Sequence, residues 1–163
     1  MERNSSILAH LASHLKGKVV ILGIGNNLKS DDGIGSILAR RIQGKVPYLV
    51  YDSGSSPENY LGKIIREKPD TLLLIDAVDF SAAPGDFNIL EGEELQTQNM
   101  FFTHNASLSL VINYLKNNLK VDIIILIIQP KTLVFGDCLS QEVSATLGHL
   151  EDWFLNGQDK KEG

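Results

Sequence analysis

The chain has a single cysteine, Cys138, in 163 residues, so no internal disulfide can staple it. No stretch is long enough to cross a bilayer. The longest apolar run is Ile123 to Ile128, against the roughly 20 residues a membrane helix needs. Positive charge is in deficit, with 15 Lys and Arg against 20 Asp and Glu and a net charge of -5, which argues against a nucleic-acid partner. Met1–Lys18 holds a short apolar patch broken by His10 and His14. It lacks the basic start and long apolar centre of a signal peptide, and the expected compartment is the cytoplasm. No Gly-x-Ser-x-Gly elbow and no His-Glu-x-x-His helix is present, which disfavours a serine hydrolase and a helix-borne zinc protease. Cys138 has no histidine near it in sequence, so it reads as a small packing or surface residue rather than a nucleophile.

What is present is enough apolar material for a core, 43% of residues, in a length that suits one domain. Residues 1–163 read as a single α/β domain. It has an N-terminal extension over residues 1–17 and a polar tail over 157–163 that is expected to fray. Apolar runs and helical patterns alternate. Val19–Gly25, Tyr48–Asp52, Thr71–Ala77, Gly85–Leu90 and Val121–Ile128 read as strands. Helical spacing joins Ile34, Ile37, Leu38 and Ile42, then Tyr60, Leu61, Ile64 and Ile65, then Leu108, Val111, Ile112 and Leu115, and last Val143, Leu147, Leu150 and Phe154. Ser55-Ser56-Pro57-Glu58 reads as a helix start, with serine as cap and proline in the first turn. Uniformly apolar strands alternating with helices predict a mostly parallel, twisted sheet of about five strands with helices on both faces. Gly85–Leu90 is a candidate antiparallel edge, because the segment leading to it is too short for a crossover helix.

The most informative stretch runs from Gly23 to Gly35, Gly-Ile-Gly-Asn-Asn-Leu-Lys-Ser-Asp-Asp-Gly-Ile-Gly. A glycine-rich turn between a strand and a helix usually suggests phosphate. Asp31 and Asp32 would repel a pyrophosphate, and Leu28 stands at the third glycine position of a dinucleotide fingerprint. The conflict points to a metal or cationic group instead. In open α/β sheets ligands bind beyond the carboxyl ends of the strands. Asp31 and Asp32 follow the first strand, Asp52 ends the second, and Asp76 ends the third with Asp79 just beyond. His104 precedes the helix of Leu108. Two carboxylates and an imidazole make a common ligand set for a divalent metal. Each residue also has a plainer reading. Asp31 or Asp32 can cap the following helix, and Asp52 can cap a turn with Ser53 and Gly54. Asp79 fits a solvated turn, and a lone histidine such as His104 is more often structural. Asp76, at the end of an apolar run, calls for a partner or a metal because an unpaired buried carboxylate is costly. His10, His14 and His149 lie on helix-like segments and read as structural or exposed. Phe101-Phe102 can pack under the sheet or dock a partner.

Taken in order, these motifs resemble the NiFe-hydrogenase maturation endopeptidases. The resemblance rests on Gly23-Ile24-Gly25-Asn26, Asp31-Asp32-Gly33-Ile34-Gly35, Asp52-Ser53-Gly54, Leu74-Ile75-Asp76-Ala77-Val78-Asp79, Thr103-His104-Asn105 and Gln129-Pro130, and spans about Lys18 to Phe154. Ser56-Pro57-Glu58-Asn59 looks most like the branch serving membrane-bound, energy-converting or formate-linked hydrogenases. The resemblance implies an aspartyl-type peptidase that removes a C-terminal extension from the hydrogenase large-subunit precursor after nickel insertion. It carries the metal ligands over to Asp32, Asp76 and His104, and a role in substrate recognition or catalysis to Asp52. The implied metal is nickel carried by the substrate, with no organic cofactor. The implied partner is the large-subunit precursor, with no nucleic acid and no membrane insertion, and a monomer is expected. Residues Met1–Gly17 have no counterpart in the resemblance. Lys131 stands where an acidic residue is often seen, which bears on the choice of precursor. Three other readings stay open on the residues alone: a metalloprotease with its own zinc, a non-catalytic metal-sensing chaperone of the precursor, and a dinucleotide-binding module.

Overall fold

The structure, a computed structural model, describes residues 2–92 and 106–156. His104, the Phe101-Phe102 pair and the expected tail Gly157–Gly163 lie outside these residues. In chain order the elements are α1 (Glu2–His14), β1 (Val19–Gly23), α2 (Ile34–Ile42), β2 (Leu49–Asp52), α3 (Leu61–Glu67), β3 (Thr71–Ala77), β4 (Phe87–Glu91), α4 (Ala106–Asn118), β5 (Asp122–Ile128) and α5 (Gln141–Asn156). Short 3-10 turns at Ser30–Gly33 and Pro57–Tyr60 lead into α2 and α3.

The strands form a sheet of 5 in the order β2-β1-β3-β5-β4. β1 runs parallel to β2 and β3, and β3 runs parallel to β5. β4 pairs antiparallel with β5, so the expected edge strand forms, shifted to Phe87–Glu91. Side chains alternate across a strand, and the two core clusters divide accordingly. Val19, Ile21, Leu73, Ile75, Ile124, Leu126, Ile128, Phe87 and Ile89 face α1, α2 and α5. Val20, Leu22, Leu72, Leu74, Ile123, Ile125 and Ile127 face α3 and α4. Both faces are covered, which is why the central strands read as unbroken apolar runs.

One local expectation changes. Ser56 forms no side-chain cap bond; Pro57 opens a 3-10 turn and the α-helical hydrogen bonds begin only at Leu61. That helix stops at Lys68, whose left-handed φ of 48° directs its N–H to the Ile64 and Ile65 carbonyls. Pro69 then disfavours any return to helix. The N-terminal extension packs against the domain over its described residues. α1 inserts Leu8 and Leu11 into the core, and Leu15 follows one turn on. Leu11 is fully buried. Leu11→Ala is expected to destabilise the whole domain by about 2–5 kcal/mol, measured as a lower urea midpoint in a single cooperative transition. A wild-type midpoint would mean that α1 docks without supporting the core.

Candidate active site

The strand order places β1 between the edge strand β2 and the central strand β3, with its connection leading to β2 on one side while β3 and β5 lie on the other. Such a reversal opens a crevice beyond the carboxyl ends of the strands. The residues that follow β1 and β3 lie at this end of the sheet. Hydrogen bonds stitch the exit loops together: Ile24 N–H donates to the Ile75 carbonyl at 2.8 Å, Gly25 N–H to Gly54 at 2.8 Å, and Ser53 N–H to Gly23 at 2.9 Å.

The glycines of the motif serve backbone contact. A Cβ on Gly25 would lie 2.1 Å from the Asp32 carbonyl oxygen. One on Gly35 would lie 2.2 Å from the Ile75 carbonyl oxygen and 2.3 Å from that of Ile24. The first turn of α2 therefore sits directly on the ends of β1 and β3, and the Ser30–Gly33 turn packs against β3.

The adjacent aspartates divide their work. Asp31 is fully buried. Its Oδ2 accepts from the N–H groups of Lys131 at 2.9 Å and Thr132 at 3.2 Å and from Ser140 Oγ at 2.8 Å. Its Oδ1 accepts from Ser140 N–H at 2.7 Å. Ser30, at a left-handed φ of 51°, donates its N–H to Gly136 at 2.8 Å and its hydroxyl to Val134 at 2.7 Å. These bonds hold the 131–140 loop against the motif. Asp32 is only half-buried, and its Oδ2 accepts from Asn26 N–H at 3.0 Å. Neither aspartate caps α2; its cap position is Gly33, with no side-chain bond.

Asp76 is buried near the end of β3. Alternation puts it on the face of Leu72 and Leu74, the face covered by α3 and α4. His104 lies two residues before α4 in sequence. Asp52 belongs to the opposite face, with Val50. Its Oδ1 accepts from Ser36 Oγ at 2.7 Å and Gly54 N–H at 2.9 Å, and its Oδ2 lies 3.3 Å from Arg40 Nε. The turn-capping reading of Asp52 is therefore present in the structure, joined by a tie to α2 that sequence reasoning missed. Ser36 and Arg40 follow one another at i, i+4 on α2, which was the available signal.

Gln129, just beyond β5, holds the loop that follows Asp76. Its Oε1 accepts from Phe80 N–H at 2.8 Å and Ala82 N–H at 3.2 Å, and its Nε2 donates to Asp79 Oδ1 at 3.1 Å. Asp79 is exposed, as a turn residue should be, and its Oδ1 also accepts from Ser81 N–H. Lys131 pairs with Glu142 at 3.0 Å. Cys138 is exposed, and its hydrogen bond to Asp137 raises the thiol above its ordinary value, so thiolate chemistry is disfavoured.

A family model for hydrogenase maturation proteases, HycI, matches residues 33–156. The chain belongs to the hydrogenase maturation protease family. It is a protease, which removes the non-catalytic chaperone and dinucleotide readings. The matched span contains Asp52, Asp76 and His104 and begins immediately after Asp32. The chain is similar to the hydrogenase 3 maturation protease of Escherichia coli K12, 34% identical over 144 residues, covering 85% of this chain and 92% of that protein. Its fold is similar to the crystal structure of the NiFe-hydrogenase maturation protease HycI from Thermococcus kodakarensis. That likeness has a TM-score of 0.80 and 30% identity and covers 90% of this chain and 96% of the other. The solution structure of the endopeptidase HycI from Escherichia coli is similar at a TM-score of 0.76 and 30% identity, covering 90% and 94%.

The split between the two aspartates makes a prediction. Asp31→Ala leaves three part-buried backbone donors without their acceptor and is expected to cost about 3 kcal/mol of stability. Asp32→Ala loses one part-exposed hydrogen bond and should cost about 1 kcal/mol. Urea unfolding of the two variants decides it; equal losses would refute the division of labour.

Proposed function

We propose that this protease removes a C-terminal extension from the large-subunit precursor of a NiFe-hydrogenase, and does so only once nickel is in place. In this reading Asp32, Asp76 and His104 engage the nickel that the precursor carries, so the metal is part of the substrate. The observation that supports the reading is that Asp32 follows β1 and Asp76 lies near the carboxyl end of the neighbouring strand β3, in a chain whose family is established.

Two carboxylates suit a divalent cation by charge, and an imidazole supplies a nitrogen ligand. Asn26 N–H orients Asp32, while the strand end fixes Asp76. Peptide hydrolysis requires water to add to the scissile carbonyl carbon, after which the C–N bond breaks and the nitrogen takes a proton. Fixing the precursor through its metal holds that carbonyl in place, which lowers the entropic part of the barrier. Recognition and positioning then share one contact, and an unloaded precursor offers no anchor. Asp52, turned to Ser36 and Arg40, acts as a positioning residue that sets α2 above the crevice. Leu28, Val134 and Phe135 are exposed apolar side chains on the segments held together by Ser30 and Asp31, and they offer the precursor a docking surface.

The experiment is a mass-spectrometric processing assay with a cognate large-subunit precursor, with and without nickel. Release of a C-terminal fragment from the loaded form alone is the expected result. Cleavage of both forms would mean that substrate-borne nickel is not the recognition element. Asp32→Ala, Asp76→Ala and His104→Ala are each expected to lower processing at least 100-fold with far-UV circular dichroism unchanged. Normal cutting by all three would show the site to be misassigned. Phe135→Ser should raise KM with little change in kcat and in melting temperature; an unchanged KM would remove the docking role.

A further inference from the structure

The far edge of the sheet, away from the crevice, carries a second cluster of ligating side chains. His10 and His14 stand four residues apart on α1 and share one helix face. Their rings meet edge to face with centroids 5.0 Å apart. His10 Nε2 lies 2.7 Å from Glu91 Oε1, and His14 Nε2 contacts Glu91 Oε2. The second nitrogen of His14, Nδ1, lies 2.8 Å from Asp122 Oδ2. Ligand atoms of His10, His14 and Glu91 all fall within 4.8 Å of one another. Glu91 ends β4 and Asp122 begins β5; Glu91 pairs with Ile124, so the two carboxylates meet at the amino end of β5.

A hydrogen count shows what the cluster needs. A neutral imidazole has one N–H. His14 faces a carboxylate oxygen at each ring nitrogen, so one of the contacts requires a further positive centre. His10 brings a second imidazole nitrogen to the same Glu91 carboxylate. With neutral rings, the carboxylates of Glu91 and Asp122 leave a surplus of negative charge that suits a divalent cation.

We propose that His10, His14 and Glu91 form a Zn2+ site, with Asp122 orienting His14. Zinc accepts imidazole and carboxylate ligands, and a histidine that ligates through one nitrogen commonly donates the other N–H to a carboxylate. That arrangement resolves the hydrogen count: Nδ1–H of His14 serves Asp122, and Nε2 serves the metal. The His10 side chain is 51% exposed, so the ion has open access and water completes its shell. Bound zinc ties α1 to the β4–β5 edge, which gives the N-terminal helix a metal-dependent anchor separate from the proteolytic crevice.

The test uses the full-length protein, stripped of metal and titrated with zinc chloride by calorimetry and thermal melting. The wild type is compared with the His10→Ala/His14→Ala double variant and with Glu91→Gln, which preserves size and removes the charge. Wild type is expected to bind one zinc ion more than either variant. Its melting midpoint should rise by about 5–10 °C at a hundredfold excess of zinc over Kd, and the variants should not share the rise. Circular dichroism confirms that the variants fold. Equal zinc stoichiometry and equal thermal shifts in all three proteins would overturn the site.

Discussion

The first turn of α2 rests on the carboxyl ends of β1 and β3 at a distance only glycine permits. Gly35 touches the carbonyl oxygens of Ile75 and Ile24, and Gly25 touches that of Asp32. A side chain at either position would lift the helix by an ångström or more, and the residues of the crevice would lose their registration. The glycine-rich motif resembles a phosphate loop because both solve the same steric problem, close approach of a backbone to something beyond the strand ends. Here the object approached is another part of the chain.

The second constraint is Asp31. A buried carboxylate is tolerable when every lone pair is used, and Asp31 accepts from Lys131, Thr132 and both donors of Ser140. It thereby fixes a long loop against the motif and leaves the neighbouring Asp32 at the crevice. Adjacent residues on a tight turn point in different directions, so one is buried among backbone donors and the other stays part-exposed. Gln129 does for the β3 exit loop what Asp31 does for the 131–140 loop. The proposed proteolytic crevice and the α1 cluster lie toward opposite ends of β5, so the core between them separates the proposed processing chemistry from the proposed anchoring of α1.

Much of this was legible from residue order. Runs such as Leu72-Leu73-Leu74-Ile75 announce strands buried on both faces, because an exposed face would need polar residues at every second position. The short path to Phe87–Glu91 announced an antiparallel edge. Boundaries were less legible: the first strand ends at Gly23 rather than Gly25, and α3 is delayed by a 3-10 turn at Pro57. These depend on which hydrogen bonds close, and that is set by neighbours rather than by local preference. α1 carried a weak signal, since Leu8, Leu11 and Leu15 are few among polar residues.

By itself the sequence determined the α/β class, the sheet's burial, the carboxylate-bearing loop after the first strand and the family, because periodicity and motif order are properties of neighbours along the chain. Tertiary structure alone decided which aspartate is structural, which face Asp52 serves and what His10 and His14 meet. The bonds that settle these points join distant residues: Asp31 to Ser140 across 109 positions, and His14 to Asp122 across 108. No local pattern encodes such pairings, since they exist only once helices and strands have packed and a buried polar atom must find whatever partner the fold brings to it.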